Sequence, residues 1–364
     1  MSNFHSLTVS RIRKETPESS SIFFEVPNAI KGSFTRKAGQ YLTLQTTING
    51  EEVRRAYSIC TGLNEEELGV TVKVVRGGLM STFLNEQLKE GQELQVMAPE
   101  GNFVVEPNAD TKRTHVFIAA GSGITPIMSM IKTILEEEGK SLCHLIYGNR
   151  NSNTIIFKSA LEELQSRHEG QLFVEHVLSR PILNKQPGIS GFFKKPVSAW
   201  KGRTGRIDEA LLDEYLEEKQ INIDDSQFYI CGPGPMIVNI EKHLKDKVKN
   251  KKQIHVEYFS APETDGKDVQ APGSGNVEVS LNGKSYQLDV PAEKTILDVL
   301  IEQGAEPPYS CTSGACSSCM AKVTEGEVSM DACFALDEDE IADGYVLTCQ
   351  AHPQSTQVKL DFDA

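Results

Sequence analysis

The sequence has no apolar run approaching the roughly 18 residues that a membrane-spanning helix needs, so no span and no membrane partner are expected. It is short of positive charge. Thirty-seven Lys and Arg stand against 51 Asp and Glu, a formal net charge of -14, which argues against a general nucleic-acid binder. Its opening, MSNFHSLTVSRIRKE, lacks the apolar core of a secretory signal. No internal repeat is visible, and 39% hydrophobic with 24% charged residues excludes disordered, collagen-like and low-complexity chains. Without an export signal, the eight cysteines read as thiols or metal ligands in a cytoplasmic chain rather than as a disulfide framework.

What is present is unevenly spread. From residue 276 onward there are 4 basic and 16 acidic residues, a net of -12, leaving -2 for the 275 residues before it. Cys311, Cys316, Cys319, Cys333 and Cys349 also fall in the last 54 residues. An acidic, cysteine-rich module is therefore attached to a nearly neutral body, and a chain of 364 residues has room for two or three domains.

Residues 1–108 carry short β-forming runs (20–26, 40–48, 53–60, 69–75) and one helical stretch at 81–88, which predicts a small antiparallel barrel. Residues 109–260 alternate strand and helix, which predicts a parallel sheet of about five strands with helices on both faces. Residues 261–275, APETDGKDVQAPGSG, have no apolar periodicity and read as a flexible linker. Residues 276–364 open with a hairpin signal at Asn282-Gly283 and a short helix at 295–304. The fold class is thus multidomain, α+β and α/β.

In YSCTSGACSSCMAKV, Cys311, Cys316 and Cys319 have C-x4-C-x2-C spacing, and Cys349 follows in VLTCQAH. That is the spacing of a 2Fe-2S centre, in which four thiolates converge on two irons. A Gly- and Ser-rich loop can wrap closely and turn the N–H groups of Gly314, Ala315, Ser317 and Ser318 toward the sulfurs. A structural zinc site is the alternative, though zinc favours paired short spacings and only one CxxC is present. Cys333 lacks the spacing to join the set and reads as a buried or loop thiol. Residues 276–364 resemble a plant-type ferredoxin, which implies a β-grasp fold. That family often has a basic residue after the first ligand, where this chain has Thr312.

Two further elements suit a flavin. In Arg55-Ala56-Tyr57-Ser58, an Arg can hold a phosphate, a Tyr can cover a ring and a Ser can hydrogen-bond a ring nitrogen. In RGGLMSTFLNE, Gly77 and Gly78 permit close backbone approach and Ser81 lies near a helix start. An ordinary edge strand is the bland alternative for the first element taken alone. In this order, ahead of a βαβ domain, the two resemble the flavin domain of the ferredoxin–NADP reductase family. The resemblance implies FAD, with FMN the alternative. It places Arg55 on the diphosphate, Tyr57 on the ring face and Ser58 near the reactive nitrogen. Val72, Lys73, Val74, Gly78, Met80 and Ser81 would line the rest of the site.

Gly121-Ser122-Gly123-Ile124-Thr125-Pro126 follows an apolar strand, with Thr125 suited to a helix N-cap and Pro126 to the first helical position. Gly121, Gly123 and Thr125 would let a pyridine nucleotide cross the turn. Cys231-Gly232-Pro233 ends a later strand. The family resemblance puts Cys231 beside the nicotinamide, with Gly232 and Pro233 at the same turn. Glu257 and Phe259 would then lie near the flavin, and Cys231, Ser58 and Glu257 are the expected catalytic groups. Between Arg180 and Arg206 stand seven Lys and Arg and no acid. With Arg150, Ser179, Arg180 and Arg206 at the cofactor edge of the sheet, a 2′-phosphate fits better than a ribose diol, so NADPH is expected over NADH. A solvated loop, or one docking the acidic module, is the alternative.

A nicotinamide gives two electrons at once and a 2Fe-2S cluster takes one, so a flavin between them is the sensible wiring. The order of modules resembles the reductases of multicomponent oxygenases. RRAYSIC, AAGSGITP, LIYGNR, ICGP, GYVLTCQA and the DFDA ending look most like the reductase family that serves phenylacetyl-CoA 1,2-epoxidases. That implies a di-iron oxygenase as electron acceptor, and no Glu-x-x-His pair in this chain suggests its own di-iron site. A Rieske dioxygenase, a steroid hydroxylase, or a role as a stand-alone electron-transfer or redox-sensing protein are the alternatives.

Overall fold

The computed structural model describes residues 4–184, 197–259, 273–336 and 338–364. Most of the expected linker, and Lys185, Lys194 and Lys195 of the basic stretch, lie outside the described residues.

The first module is an antiparallel sheet of β1 (Phe4–Thr16), β2 (Ser19–Glu25), β3 (Tyr41–Ile48), β4 (Glu51–Ser58), β5 (Leu68–Lys73) and β6 (Glu93–Met97). Its order is β4-β3-β6-β1-β2-β5, and a bridge from Ile59 to Val70 brings the ends together as a barrel. Alternation drives this. Leu7 and Val9, Ile22 and Phe24, Leu42 and Leu44, and Val70 and Val72 all point into one core. Helix α1 (Leu79–Glu86) covers it with Met80 and Leu84.

The second module is a parallel sheet. Its strands include β7 (Thr114–Ala120), β8 (Leu142–Asn149) and β9 (Leu172–Leu178). A short pairing of β10 (Leu183–Asn184) with β11 (Val197–Ser198) precedes β12 (Arg203–Thr204), β13 (Ser226–Gly232) and β14 (Ile254–Tyr258). The order β12-β9-β8-β7-β13-β14 adds the two-residue β12 to the five strands expected. Helices α2 (Ile124–Glu137) and α3 (Lys158–Arg167) share one core, while α4 (Glu209–Glu218) and α5 (Gly234–Lys245) share that of the other face. The strand order reverses between β7 and β13, so their carboxyl ends open a crevice where ligands sit in such sheets.

The third module pairs β15 (Gly275–Leu281) with β16 (Lys284–Val290) through Asn282 and Gly283, both at positive φ, as a tight hairpin requires. Helix α6 (Ile296–Glu302) packs beside them, its start closed by a capping box between Thr295 and Asp298. After the cysteine loop come β17 (Met320–Glu325), β18 (Val328–Met330), α7 (Glu338–Ala342), β19 (Tyr345–Leu347), β20 (Ala351–Pro353) and β21 (Gln357–Asp361). The sheet order β16-β15-β21-β17-β19 is mixed, with β15 and β21 parallel.

This module rests against both others. Ala315 joins the apolar cluster of α4 and α5, and the Phe334 ring lies 5.4 Å from that of Tyr258. Arg54 stands 4.5 Å over the Tyr309 ring. No helix among the described residues is long and apolar enough to cross a membrane.

Candidate functional site

A cleft of about 2180 Å³ runs between the three modules. Strand β4 presents Arg55, Tyr57 and Ser58 to it, and β5 presents Thr71 and Lys73. Alternation turns Val72 the other way, into the barrel core, where its carbonyl accepts from Asn85 Nδ2 at 3.2 Å. Any contact from Val72 to a ligand in the cleft therefore cannot use its side chain. Val74 donates its N–H to Glu18 O at 2.8 Å and is likewise absent from the lining, while Val75 faces the cleft.

Gly78, Met80 and Ser81 line the cleft at the start of α1. Ser81 Oγ accepts from Val75 N at 3.1 Å and donates to Gly78 O at 3.2 Å, so it closes the turn that leads into the helix. The first helical N–H groups beside it are the donors left over for an anion.

At the crevice, Gly121, Thr125, Gly232 and Pro233 line the cleft. Thr125 is not the N-cap that the sequence suggests. A 3-10 turn over Gly121–Gly123 runs directly into α2, whose cap is Gly123, and Thr125 Oγ1 donates back to Ser122 O at 3.0 Å. Pro126 accordingly sits at the third helical position, not the first. Gly123 is buried rather than lining. A Cβ there would stand 2.1 Å from the carbonyl oxygen of Cys231, so only glycine lets the turn pass this close to β13.

The three expected catalytic residues come together although 199 positions separate the first from the last. Ser58 Oγ donates to Glu257 Oε2 at 3.5 Å, and Cys231 Sγ lies 4.0 Å from the same oxygen. Burial raises the Glu257 carboxyl to about 8, with the Ser58 hydrogen bond pulling the other way. Burial and then Glu257 push the Cys231 thiol well up, so both groups are neutral at pH 7. Phe259, 42% exposed, stands over the cleft beyond them. Lys73 Nζ lies close to the Gly121 turn, its pKa lowered by burial and by Arg150.

Arg150, Ser179, Arg180 and Arg206 all line the far end of the cleft. Arg203 does not: it is spent on Glu214 at 2.7 Å and Glu218 at 2.5 Å. Asp208, also at this end, caps α4 by accepting from Leu211 N at 2.9 Å.

Cys311 and Cys316 face the cleft from the third module, with Cys319 and Cys349 buried behind them. The four thiols are free and lie within reach of one another, Cys311 beside Cys316 and Cys349, and Cys349 beside Cys319. This closeness lowers Cys311 and Cys319 and raises Cys316 and Cys349. Ser313 N donates to Cys311 Sγ at 3.4 Å, and the N–H groups of Gly314 and Ser318 serve Cys349 and Cys316. Four converging thiols ringed by backbone donors suit a 2Fe-2S cluster. Thr312 holds φ at 53°, a left-handed residue that helps fold the loop back. Cys333 is half-buried, lines the same cleft and takes no part in the thiol set.

Residues 6–105 match the oxidoreductase FAD-binding domain, 117–242 the oxidoreductase NAD-binding domain and 279–354 the 2Fe-2S iron-sulfur cluster binding domain. Fold and site thus define an oxidoreductase that combines FAD, a pyridine nucleotide and a 2Fe-2S cluster; the zinc alternative falls. The chain is 37% identical over 369 residues to a component of the 1,2-phenylacetyl-CoA epoxidase of Escherichia coli (strain K12), covering 100% of this chain and 99% of that one. It is 30% identical over 367 residues to the 3-ketosteroid-9-alpha-monooxygenase ferredoxin reductase component of Rhodococcus rhodochrous, covering 98% and 96%. The solved phthalate dioxygenase reductase shares the fold over 99% of this chain and 98% of its own, at a TM-score of 0.56 and 23% identity. The chain belongs to the family of reductase components of multicomponent oxygenases.

Proposed function

We propose that this reductase takes its hydride from NADPH and delivers single electrons to a di-iron oxygenase that epoxidises phenylacetyl-CoA. The meeting of Ser58 and Glu257 at one wall of a cleft, with Cys231 buried behind them and the cysteine loop as the other wall, carries the hydride-to-cluster part of this reading. Bound FAD would supply the exchange of one two-electron step for two one-electron steps, and the bound cluster would take the electrons singly.

The chain's own residues position and tune. Arg55 would hold the FAD diphosphate, Tyr57 would lie on the ring, and Met80 and the start of α1 would seat the rest. Glu257 keeps a proton in the buried wall at neutral pH, and Ser58 orients its carboxyl. Cys231, fully buried, would pack behind the place where the nicotinamide meets the flavin. The Gly121–Gly123 turn and Gly232-Pro233 leave room for the nucleotide. Arg150, Ser179, Arg180 and Arg206 converge on the far end, where a 2′-phosphate would sit.

The di-iron partner rests on the 37% full-length likeness to the epoxidase component, against 30% for the steroid monooxygenase component. To test both halves, kcat/KM is measured with NADPH and NADH, and coupled turnover with purified di-iron and Rieske oxygenases. The NADPH preference is expected to fall about tenfold in Arg180→Ala, the worth of one charge-assisted contact. Equal use of NADH, unchanged by that substitution, would overturn the nucleotide assignment. Faster coupled turnover with a Rieske or steroid oxygenase would overturn the partner.

A further inference from the structure

The cysteine loop meets the barrel through a buried hydrogen-bond chain that plays no part in the hydride-to-cluster wiring. Tyr41 and Glu100 stand opposite each other where β3 begins. Tyr41 N donates to Glu100 O at 2.9 Å, and Glu100 N donates to Tyr41 O at 3.0 Å. Both side chains reach one atom of the third module. Ser318 Oγ donates to Glu100 Oε2 at 3.0 Å and lies 2.9 Å from Tyr41 Oη. Either hydroxyl can donate in the second bond, so the three side chains form one continuous chain. The Tyr41 ring is held in turn by Gly101, where a Cβ would come within 2.8 Å of it.

Ser318 lies between Cys316 and Cys319, so a bond made there acts on the segment that carries two of the four ligands. The other polar contacts of the same seam are of a different kind. Asn102 with Glu340 at 2.6 Å and Lys252 with Asp339 at 2.5 Å are exposed, and such pairs hold little. Tyr41 and Ser318 are both more than nine-tenths buried. Apolar contact at Ala315 and Phe334 is non-directional and tolerates sliding. The Tyr41–Ser318–Glu100 chain has the geometry to fix one register.

We propose that Tyr41 and Glu100, acting through Ser318, are positioning residues for electron transfer from flavin to cluster, holding the cysteine loop against the flavin cleft. The proposal rests on FAD occupying that cleft. One electron leaves the flavin and one arrives at the cluster; no bond in the chain of three residues is made or broken.

The test uses the full-length holoprotein, mixed anaerobically with NADPH in a stopped-flow instrument, with flavin and cluster reduction followed separately. In Ser318→Ala, flavin reduction is expected to stay within about twofold while cluster reduction slows about tenfold, the weight of one or two buried hydrogen bonds. Tyr41→Phe should slow it less, and the double variant no more than Ser318→Ala alone, because Tyr41 acts through Ser318. Ser318→Thr, which keeps the hydroxyl, should recover the rate. The cluster potential is measured in each variant by dye-coupled titration. Wild-type cluster reduction in Ser318→Ala would overturn the proposal. So would a slowing accounted for by a changed potential, or additive losses in the double variant. If flavin-stripped protein reduces its cluster from NADPH at the full rate, the flavin reading itself fails, and the proposal with it.

Discussion

Cys316 lines one wall of the cleft and Cys231 lies buried behind the opposite wall, at Gly232 and Glu257, and the two are placed by different means. Cys231 ends a strand of the parallel sheet, its backbone paired with Ala119 on one side and Glu257 on the other. Its thiol is held neutral by burial and by the carboxyl beside it. Cys316 belongs to a loop that brings four thiols together and turns backbone N–H groups toward sulfur, as Ser313 N does toward Cys311 Sγ. A sheet fixes one cysteine by pairing its backbone on both sides. A loop gathers four so that the metal can complete the fold. Strand register sets the first cysteine, and convergence of a loop sets the second.

Removing each cysteine should separate these roles. Cys316→Ala is expected to have the largest effect: iron and sulfide are lost, and reduction of a one-electron acceptor through the cluster falls by roughly a hundredfold or more, since loss of even outer-shell partners costs ten- to a hundredfold. Flavin reduction should persist; if it vanishes too, the two walls are not independent. Cys231→Ala should retain iron and slow flavin reduction by about ten- to a hundredfold, the cost of misplacing a reacting group.

A smaller effect is expected at the carboxyl beside Cys231. The folded chain keeps the Glu257 proton to about pH 8, whereas an ordinary carboxyl loses it near 4.5. Flavin reduction should therefore fall several-fold as pH rises through about 8, and the fall should be absent from Glu257→Gln. The linkage has a definite sign. Between pH 4.5 and 8 the unfolded chain binds fewer protons than the folded one, so stability declines as pH rises, and the Gln variant should decline less in denaturant titrations. Salt should act least. Raising it from about 10 to 300 mM is expected to slow electron delivery to the partner a few-fold, through screening of the acidic module, and to leave internal cluster reduction unchanged.

The sequence made some parts of this site legible and hid others. The 2Fe-2S module was readable because the cysteine spacing is the loop's own geometry. The barrel strands β2 to β5 were readable from runs of β-forming residues bounded by turns. Strands β1 and β6 were not: β1 carries Arg11, Arg13 and Lys14 through its outer half, and β6 is five residues long. The helix start at Thr125 was misplaced because a 3-10 turn and an α-helix begin with the same residue types. Tyr41 and Ser318, 277 positions apart, left no local signal at all, since their meeting depends on how whole modules pack. Arg203 shows the reverse: it reads as part of a phosphate-seeking cluster, yet α4 supplies carboxylates that consume it.

The apolar part of the seam, where Ala315 enters the core of its neighbour and Phe334 meets Tyr258, gives the reductase a thermal character. Contacts of this kind weaken on cooling and carry a heat-capacity change when they part. A plot of turnover against inverse temperature should therefore bend for any step that requires the iron–sulfur module to leave its seat, and run nearly straight for hydride uptake, which does not.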